Sequence, residues 1–393
     1  MNNMNNMKIE KQAFSCQRDG LTIRGHALMP RTGGPFPAVI VSHGFMSDQR
    51  SVTQYAEALV AEGFVAFIYD FCGGCVKGTS DGASRDMTVF TEVEDLTAVI
   101  GFAISRSYVQ GGKVILMGCS QGGFVSAITA ARLQEKVEKL VLFYPALCIP
   151  DDARAGKMMF FRFDPANIPD ILGKWPMELG GDYARSVVDR NPYALISGYP
   201  GKVLIVHGTA DRVVALRYSE KARETYGYDC CTLVTIDGAG HGFKKEADRK
   251  AIAYLREFVR GRMELFAVDV KLTGHSMTRK GRETELIFPF TGTADGAAFH
   301  GVIDPGAKDV QLWRGLKARH CLADYTITGT DYTGKACSVH IVNEDNGNGW
   351  TPTVTTDSAA LNYINSEPCT EYFEPRKGGP VIHIFSRPAT AER

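Results

Sequence analysis

The order of apolar runs predicts a doubly wound, mostly parallel α/β sheet over the first two-thirds of the chain and an all-β barrel domain over the rest. Three observations carry this. Up to about residue 261, short β-branched runs alternate with segments of helical period, the order expected of parallel strands joined by crossover helices. Beyond residue 262 the helical period nearly vanishes, and short alternating segments are punctuated by Gly, Asp and Thr. At 393 residues the chain also exceeds what one hydrophobic core usually supports, so two domains are the default.

The elements follow in order. A hairpin joins 12–16 to 21–29 through Arg18-Asp19-Gly20. A strand at 38–42, a helix near 52–62, a strand at 65–69 and a helix at 92–105 come next. The strand at 114–117 runs into a helix directly after Ser120, and 140–144 is the following strand. Residues 147–201 break the pattern: prolines and glycines recur, and Met158, Phe160, Phe161 and Trp175 follow neither period, so this stretch reads as a cap inserted over a site. The alternation resumes with a strand at 203–206, a helix at 217–226, a strand at 232–236 and a last helix at 245–259. In the tail, 266–272, 285–290, 323–328, 339–342 and 381–385 read as strands. The expected domains are thus 1–262, with its cap at 147–201, and 263–393.

Charge and cysteine usage narrow the function classes. Basic and acidic residues balance at 44 each, leaving no field to attract phosphate backbones or anionic lipid, which argues against nucleic acid and membrane partners. Residues 1–11 are polar and lack the apolar centre of a secretion signal, and no later run approaches the length of a bilayer span. Ten scattered cysteines, two of them adjacent (Cys230, Cys231), point to reduced thiols and a cytoplasmic location. Cys72 and Cys75 have the spacing of a redox or half-zinc motif, but no second Cys or His pair sits nearby in sequence to complete four ligands. Neither a metal nor a cofactor is expected.

The chemistry gathers at three loops. Gly118-Cys119-Ser120-Gln121-Gly122 lies between an apolar strand and a helix, the context in which G-x-S-x-G exposes a nucleophilic serine on a tight turn. Cys119 suggests a thiol nucleophile instead, but that elbow would need glycine where Met117 stands. A serine hydroxyl is a poor nucleophile until an imidazole takes its proton, and in this fold the acid and base follow on later loops in the order Ser, Asp, His. The strand at 203–206 leads to Asp211, and the strand at 232–236 leads to the glycine-rich loop of His241. Attack on a carbonyl also needs donors for the oxyanion. The backbone N–H groups of Gln121 and of Phe45, in His43-Gly44-Phe45, are the candidates.

These residues resemble the bacterial cinnamoyl (feruloyl) esterases of the α/β-hydrolase superfamily, over about residues 14–260. The resemblance rests on His43-Gly44-Phe45, Asp70 to Gly74 with Ser80-Asp81-Gly82, and Met87-Thr88-Val89 with Glu92, Glu94 and Asp95. Gly118 to Gly123, Ile168-Pro169-Asp170, Gly208 to Val214 and Gly240-His241 complete it. It implies a cap that clamps an aromatic acyl group, a carboxylate at Asp152 that hydrogen-bonds a phenolic hydroxyl, and pairing as a homodimer. Trp175 and Phe161 are the cap aromatics assigned to the substrate. Residues 153–163 depart from the family with their own aromatic and Met cluster. The tail is similar to a family of lipocalin-like β-barrels on residues 288–301, 323–329 and Tyr372-Phe373. Its histidines, His275, His300, His320, His340 and His383, lack tight ligand spacing.

The expected activity is metal-free hydrolysis of a small carboxylic ester through an acyl-enzyme, with hydroxycinnamate or other aromatic and short-chain esters as substrates. Two alternatives stand beside it: an oligopeptidase or acyltransferase of the same fold, and a non-catalytic protein that holds a small ligand in its C-terminal barrel.

Overall fold

In a computed structural model of the chain, describing residues 9–346 and 349–387, strands β1 (Ile9–Arg18) and β2 (Leu21–Pro30) form the expected hairpin. Residues 1–8, most of the stretch read against a secretion signal, and the six residues from Pro388 onward lie outside the described residues. The chain divides into two units, residues 7–256 and 257–393.

In the first unit, β3 (Phe36–Ser42), α1 (Thr53–Val60), β4 (Val65–Tyr69), α2 (Val89–Ile104), β5 (Val109–Cys119), α3 (Gln121–Arg132) and β6 (Val137–Phe143) follow the hairpin. All five residues of β4 are buried, as expected for a strand covered by helices on both faces. Helix α2 starts where it does because Thr88 and Thr91 cap each other: Thr91 N donates to Thr88 Oγ1 at 3.0 Å, and Thr88 N to Thr91 Oγ1 at 2.8 Å. An insertion then holds α4 (Ile149–Arg154), the short strands β7 (Lys157–Met158), β8 (Phe161–Arg162), β9 (Ile171–Gly173) and β10 (Leu179–Gly180), α5 (Gly181–Arg185) and α6 (Pro192–Ile196). β7 pairs with β8 and β9 with β10, both antiparallel. β11 (Lys202–Gly208), α7 (Arg217–Tyr226), β12 (Cys231–Ile236) and α8 (Glu246–Val259) complete the alternation.

The main sheet has the order β1-β2-β4-β3-β5-β6-β11-β12, parallel from β4 to β12. Ile40, Phe67, Leu96, Leu116, Val125, Leu140 and Ile205 are fully buried in its core. The order brings the carboxyl ends of β3, β5, β11 and β12 to one edge, where an open α/β sheet holds its ligands. No helix among the described residues is long and apolar enough to cross a membrane.

The second unit is a ten-stranded antiparallel barrel: β13 (Met263–Leu272), β14 (Ser276–Lys280), β15 (Glu283–Asp295), β16 (Phe299–Ile303), β17 (Lys308–Arg314), β18 (Lys317–Asp331), β19 (Ala336–Asp345), β20 (Thr351–Thr356), β21 (Thr370–Glu374) and β22 (Val381–Ser386). Its path runs β20-β19-β18-β16-β15-β13-β22-β21, with β17 also bridging β15 and β18, and β14 paired to β15. The sheet rolls until Asn343 of β19 donates a 2.5 Å hydrogen bond to Glu371 of β21, at opposite ends of that path. Phe266, Phe299, Ile327, Val339, Ile341 and Ile384 are buried in its core. Five strands lie outside the segments expected from sequence: β14, β16, β17, β20 and β21. β14 is exposed on every residue and so carries no apolar face, while β17 turns Asp309 and Gln311 toward a cavity where an apolar pattern would place Val or Ile.

Candidate active site

Ser120 stands between β5 and α3 at φ 53°, a backbone region that costs a non-glycine residue energy and is held only by its surroundings. Its N–H donates to Phe143 O at 2.9 Å, and its carbonyl accepts from Gly123, Phe124 and Ala146. The flanking glycines are forced by close backbone approach. A Cβ at Gly118 would lie 2.1 Å from Gly122 O, and one at Gly122 would lie 2.2 Å from His43 O. Gly-x-Ser-x-Gly is therefore the only way this strand, turn and helix fit under the loop after β3.

His241 follows β12 and Asp211 follows β11, and the sheet order places both loops beside Ser120. His241 Nε2 lies 2.9 Å from Ser120 Oγ, and its Nδ1 lies 2.8 Å from Asp211 Oδ2. With Nδ1–H donating to the carboxylate, Nε2 is left to accept the serine proton. The imidazole packs edge-on against Tyr144, ring centroids 4.8 Å apart. Asp211 Oδ1 accepts from Val213 N at 2.8 Å and Val214 N at 2.9 Å, and His207 Nε2 stands 3.3 Å from Oδ2. Burial alone would push the Asp211 carboxyl up, but the hydrogen bonds from His207, His241 and Val214 outweigh it and hold the group well below the usual carboxylate range. His207, fully buried, is itself fixed by Ser219 Oγ at 2.6 Å.

Phe45 and Gln121 both line the pocket that contains Ser120. The loop of His43, Gly44 and Phe45 comes so near that a Cβ at Gly44 would sit 3.2 Å from Ser120 Cβ. Gln121 opens α3, where first-turn N–H groups have no partner inside the helix and point outward. Beneath this loop His43 is fully buried; Nδ1 meets Gly44 O at 2.8 Å, and Nε2 accepts from Phe71 N at 3.2 Å and lies 3.3 Å from Cys75 Sγ. Burial holds its pKa below the ordinary histidine value.

His43, Asp70 and Cys75 bring one potential ligand atom each within 4.8 Å of one another. Yet Asp70 already accepts from Gln49 N, Gln49 Nε2, Thr79 N and Thr79 Oγ1. With both carboxylate oxygens committed, the trio reads as a brace under the loop. Cys72 is not part of this trio, and its backbone N–H donates to Asp95 Oδ2 at 2.8 Å.

The pocket is small, about 40 Å³, with Asp152, Met158 and Tyr183 in its wall. Asp152 reaches this wall from α4, at the start of the insertion. Trp175 and Phe161 are not among the lining residues. Trp175 is 80% exposed, and Phe161 packs its ring over the bare backbone of Gly173, where a Cβ would stand 1.9 Å from it. Met158, which pairs with Phe161 across the β7–β8 turn, faces the pocket instead.

One linkage escaped the sequence reading, which named Glu92 and Gln121 but not their contact or Tyr183. Gln121 Nε2 donates to Glu92 Oε2 at 2.7 Å, and Tyr183 Oη donates to Gln121 Oε1, so α2 and the insertion grip the residue that follows Ser120. Burial pushes the Glu92 carboxyl well above its ordinary value. The signal for Glu92 is an acid that, with Asp95, falls among the buried apolar residues Val89, Val93 and Leu96 of α2. Nothing local marks Tyr183.

Comparison with known proteins agrees with this geometry. A family model described as serine aminopeptidase, S33 (Hydrolase_4) matches residues 33–179. The putative carboxymethylenebutenolidase of Aquifex aeolicus is 30% identical over 142 residues, 34% of this chain and 61% of that protein. The uncharacterized protein YcjY of Escherichia coli is 32% identical over 171 residues, 42% of this chain and 51% of its own. The matches thus span little more than half of these curated relatives. Among solved structures, Est1E from Butyrivibrio proteoclasticus with ferulic acid bound is 30% identical with a TM-score of 0.58, covering 63% of this chain and 98% of that one. A second Est1E structure is 28% identical with a TM-score of 0.56. Through its first unit, the chain belongs to the esterase-like α/β hydrolases.

Proposed function

We propose that the chain is a serine carboxylic ester hydrolase in which Ser120 is the nucleophile, His241 the general base and Asp211 the residue that orients the base. Ser120 Oγ attacks the ester carbonyl while its proton passes to His241 Nε2; the tetrahedral oxyanion is met by the N–H groups of Gln121 and Phe45. The alcohol leaves with the proton from His241, and the same imidazole then deprotonates water, which releases the acid from the acyl-enzyme. The observation that carries this reading is the unbroken relay from Asp211 Oδ2 through His241 to Ser120 Oγ, at 2.8 and 2.9 Å.

Aromatic esters of the hydroxycinnamate type are the proposed substrates, with short-chain esters as simpler ones. Est1E, which binds ferulic acid, supports this, as does the position of Asp152 in the pocket wall, where a carboxylate can accept from a phenolic hydroxyl. Ten free cysteines suit a reducing, cytoplasmic setting.

The test is a panel of acetyl, butyryl, feruloyl, caffeoyl and chlorogenate esters assayed on the wild type and on Ser120→Ala. Turnover by the wild type alone, fastest on the hydroxylated aromatic esters, is expected. Equal silence of both proteins on every ester overturns the hydrolase reading, and hydrolysis of the short-chain esters alone overturns the substrate class.

A further inference from the structure

The barrel of the second unit encloses a cavity of about 320 Å³, the size of a single-ring ligand with a short tail. Most of its wall is apolar and aromatic, from residues such as Phe288, Phe290, Tyr325 and Phe373. Crossing this wall is a row set by strand register: Phe288 of β15 opposes Asp309 of β17, which opposes Ala323 of β18, which opposes Asn343 of β19. The alanine at the centre leaves open the space between the two polar side chains.

The polar groups of the cavity are hydrogen-bonded on one side only. Trp313 Nε1 donates to Gln311 Oε1 at 3.1 Å, and Gln311 Nε2 donates to Asp309 Oδ2 at 2.6 Å. Asp309 Oδ1 is buried with no partner. Asn343, 7% exposed, spends its amide on Glu371 Oε2 at 2.5 Å, and its own Oδ1 is buried without a donor. Gln311, Trp313 and Asn343 each commit a donor within the wall, and the two buried oxygens left without a donor, Asp309 Oδ1 and Asn343 Oδ1, are acceptors. Such orphaned groups are rare in native proteins, because each costs its full desolvation.

Charge sharpens the point. Among the described residues, two carboxylic acids, Asp309 and Glu371, line the cavity, and no Lys, Arg or His does. Burial raises both above their ordinary values, Glu371 to about 7. A neutral or anionic guest leaves that penalty in place, whereas a cation with N–H donors offsets it and satisfies both orphaned oxygens. Aromatic faces around a carboxylate also favour an organic cation.

We infer that the barrel cavity is a binding site for a small organic ammonium ion with an apolar body, whose N–H groups donate to Asp309 Oδ1 and Asn343 Oδ1. The apolar body lies against Phe288, Phe290 and Tyr325. This differs in kind from a barrel holding a purely apolar molecule, and it is carried by residues that take no part in the proposed ester chemistry.

Phenethylamine is the test ligand, titrated into the full chain and followed by calorimetry and by fluorescence, since Trp350 lines the cavity. 2-Phenylethanol and 3-phenylpropionate serve as the neutral and anionic counterparts. The ammonium is expected to bind saturably and about tenfold or more tighter than the alcohol, with no binding of the carboxylate. Asp309→Asn, which keeps shape and removes charge, should weaken the amine about tenfold or more and leave the alcohol nearly unchanged. Ala323→Leu, which fills the centre of the row, should abolish both; circular dichroism checks that each variant is folded. Absence of saturation at about 10 mM amine, equal binding of amine and alcohol, or unchanged binding by a folded Asp309→Asn overturns the proposal.

Discussion

Replacing Asp211 by Asn tests the proposed relay more directly than removing the serine, because the change is isosteric and acts through a proton. Asp211 Oδ1 accepts two backbone N–H groups, from Val213 and Val214. An amide nitrogen cannot accept, so Asn must keep its carbonyl oxygen on that side and present its NH2 to His241 Nδ1. Nδ1 then has to accept, which moves the imidazole proton to Nε2, the nitrogen 2.9 Å from Ser120 Oγ. A ring in that tautomer cannot take the serine proton, and turnover should fall by about 10⁴, equivalent to about 5 kcal/mol of barrier. The depressed pKa of Asp211 also stabilises the fold above the unfolded carboxyl pKa, and that contribution is lost as pH falls through the folded value. Assays near pH 7 to 8 avoid that limb. Initial rates on a chromogenic butyrate ester, with Ser120→Ala as background and circular dichroism as the folding control, give the number. A loss under tenfold in a folded variant would falsify the assignment of Asp211.

Three further outcomes are expected. Asp152→Ala should slow hydroxylated aromatic esters about tenfold more than unsubstituted cinnamates; equal losses on both series return Asp152 to a plain wall residue. Gly122→Ala drives a Cβ to within 2.2 Å of His43 O and 2.6 Å of Ser42 O, both backbone atoms that yield only if the oxyanion loop moves. It should cost about 1–3 kcal/mol of stability and about 10²-fold in turnover, and activity within twofold of wild type contradicts the packing argument. Glu371, raised from an ordinary 4.5 to about 7, binds more proton folded than unfolded between those values, so its contribution to stability falls as pH rises through that window. The full shift corresponds to about 3 kcal/mol. Urea unfolding of a Trp175→Phe background, which leaves only Trp313 and Trp350, should show this slope between pH 4.5 and 7, and Glu371→Gln should flatten it; identical slopes refute it.

The legible parts of the molecule are those whose cause is local. β3, β4, β11 and the second half of β5 are short apolar runs buried on both faces, and the edge strand β12 is a β-branched run, so each announces itself, and the loops after β5, β11 and β12 carry Ser120, Asp211 and His241 within a few residues. Gly118 and Gly122 are legible for a backbone reason that any residue with a Cβ would violate. Side chains set by tertiary register were not legible. Trp175 was assigned to the substrate because it is large and apolar, but burial of large apolar residues is a tendency, and this one lies on the surface. Tyr183 reaches Gln121 across 62 residues of sequence, and no periodicity in the insertion marks it. In the barrel, β17 hid its identity by turning acids and amides inward, where a strand pattern expects Val or Ile.

Two buried carboxyl groups, one linked to Ser120 through His241 and one bonded to Gln121, explain why such details matter to the proposed chemistry. Asp211 gathers hydrogen bonds from His207, His241 and two backbone N–H groups, and stays ionised. Glu92 has the amide of Gln121 as its one side-chain donor against complete burial, and is held toward its neutral form. The same residue type is thus split by surroundings into a charged and an uncharged member, the pattern by which a fold assigns separate roles to like groups. The sign of the split suits the reaction. A negative charge behind His241 favours the imidazolium that forms as Ser120 attacks. A second one behind Gln121, whose backbone N–H is the proposed oxyanion donor, would oppose the charge developing there; at short range and low dielectric that repulsion would cancel much of what one oxyanion donor supplies, about 3 kcal/mol. Full burial of Glu92 disfavours a charge on the side of the proposed oxyanion donor, while the hydrogen bonds to Asp211 favour one behind His241.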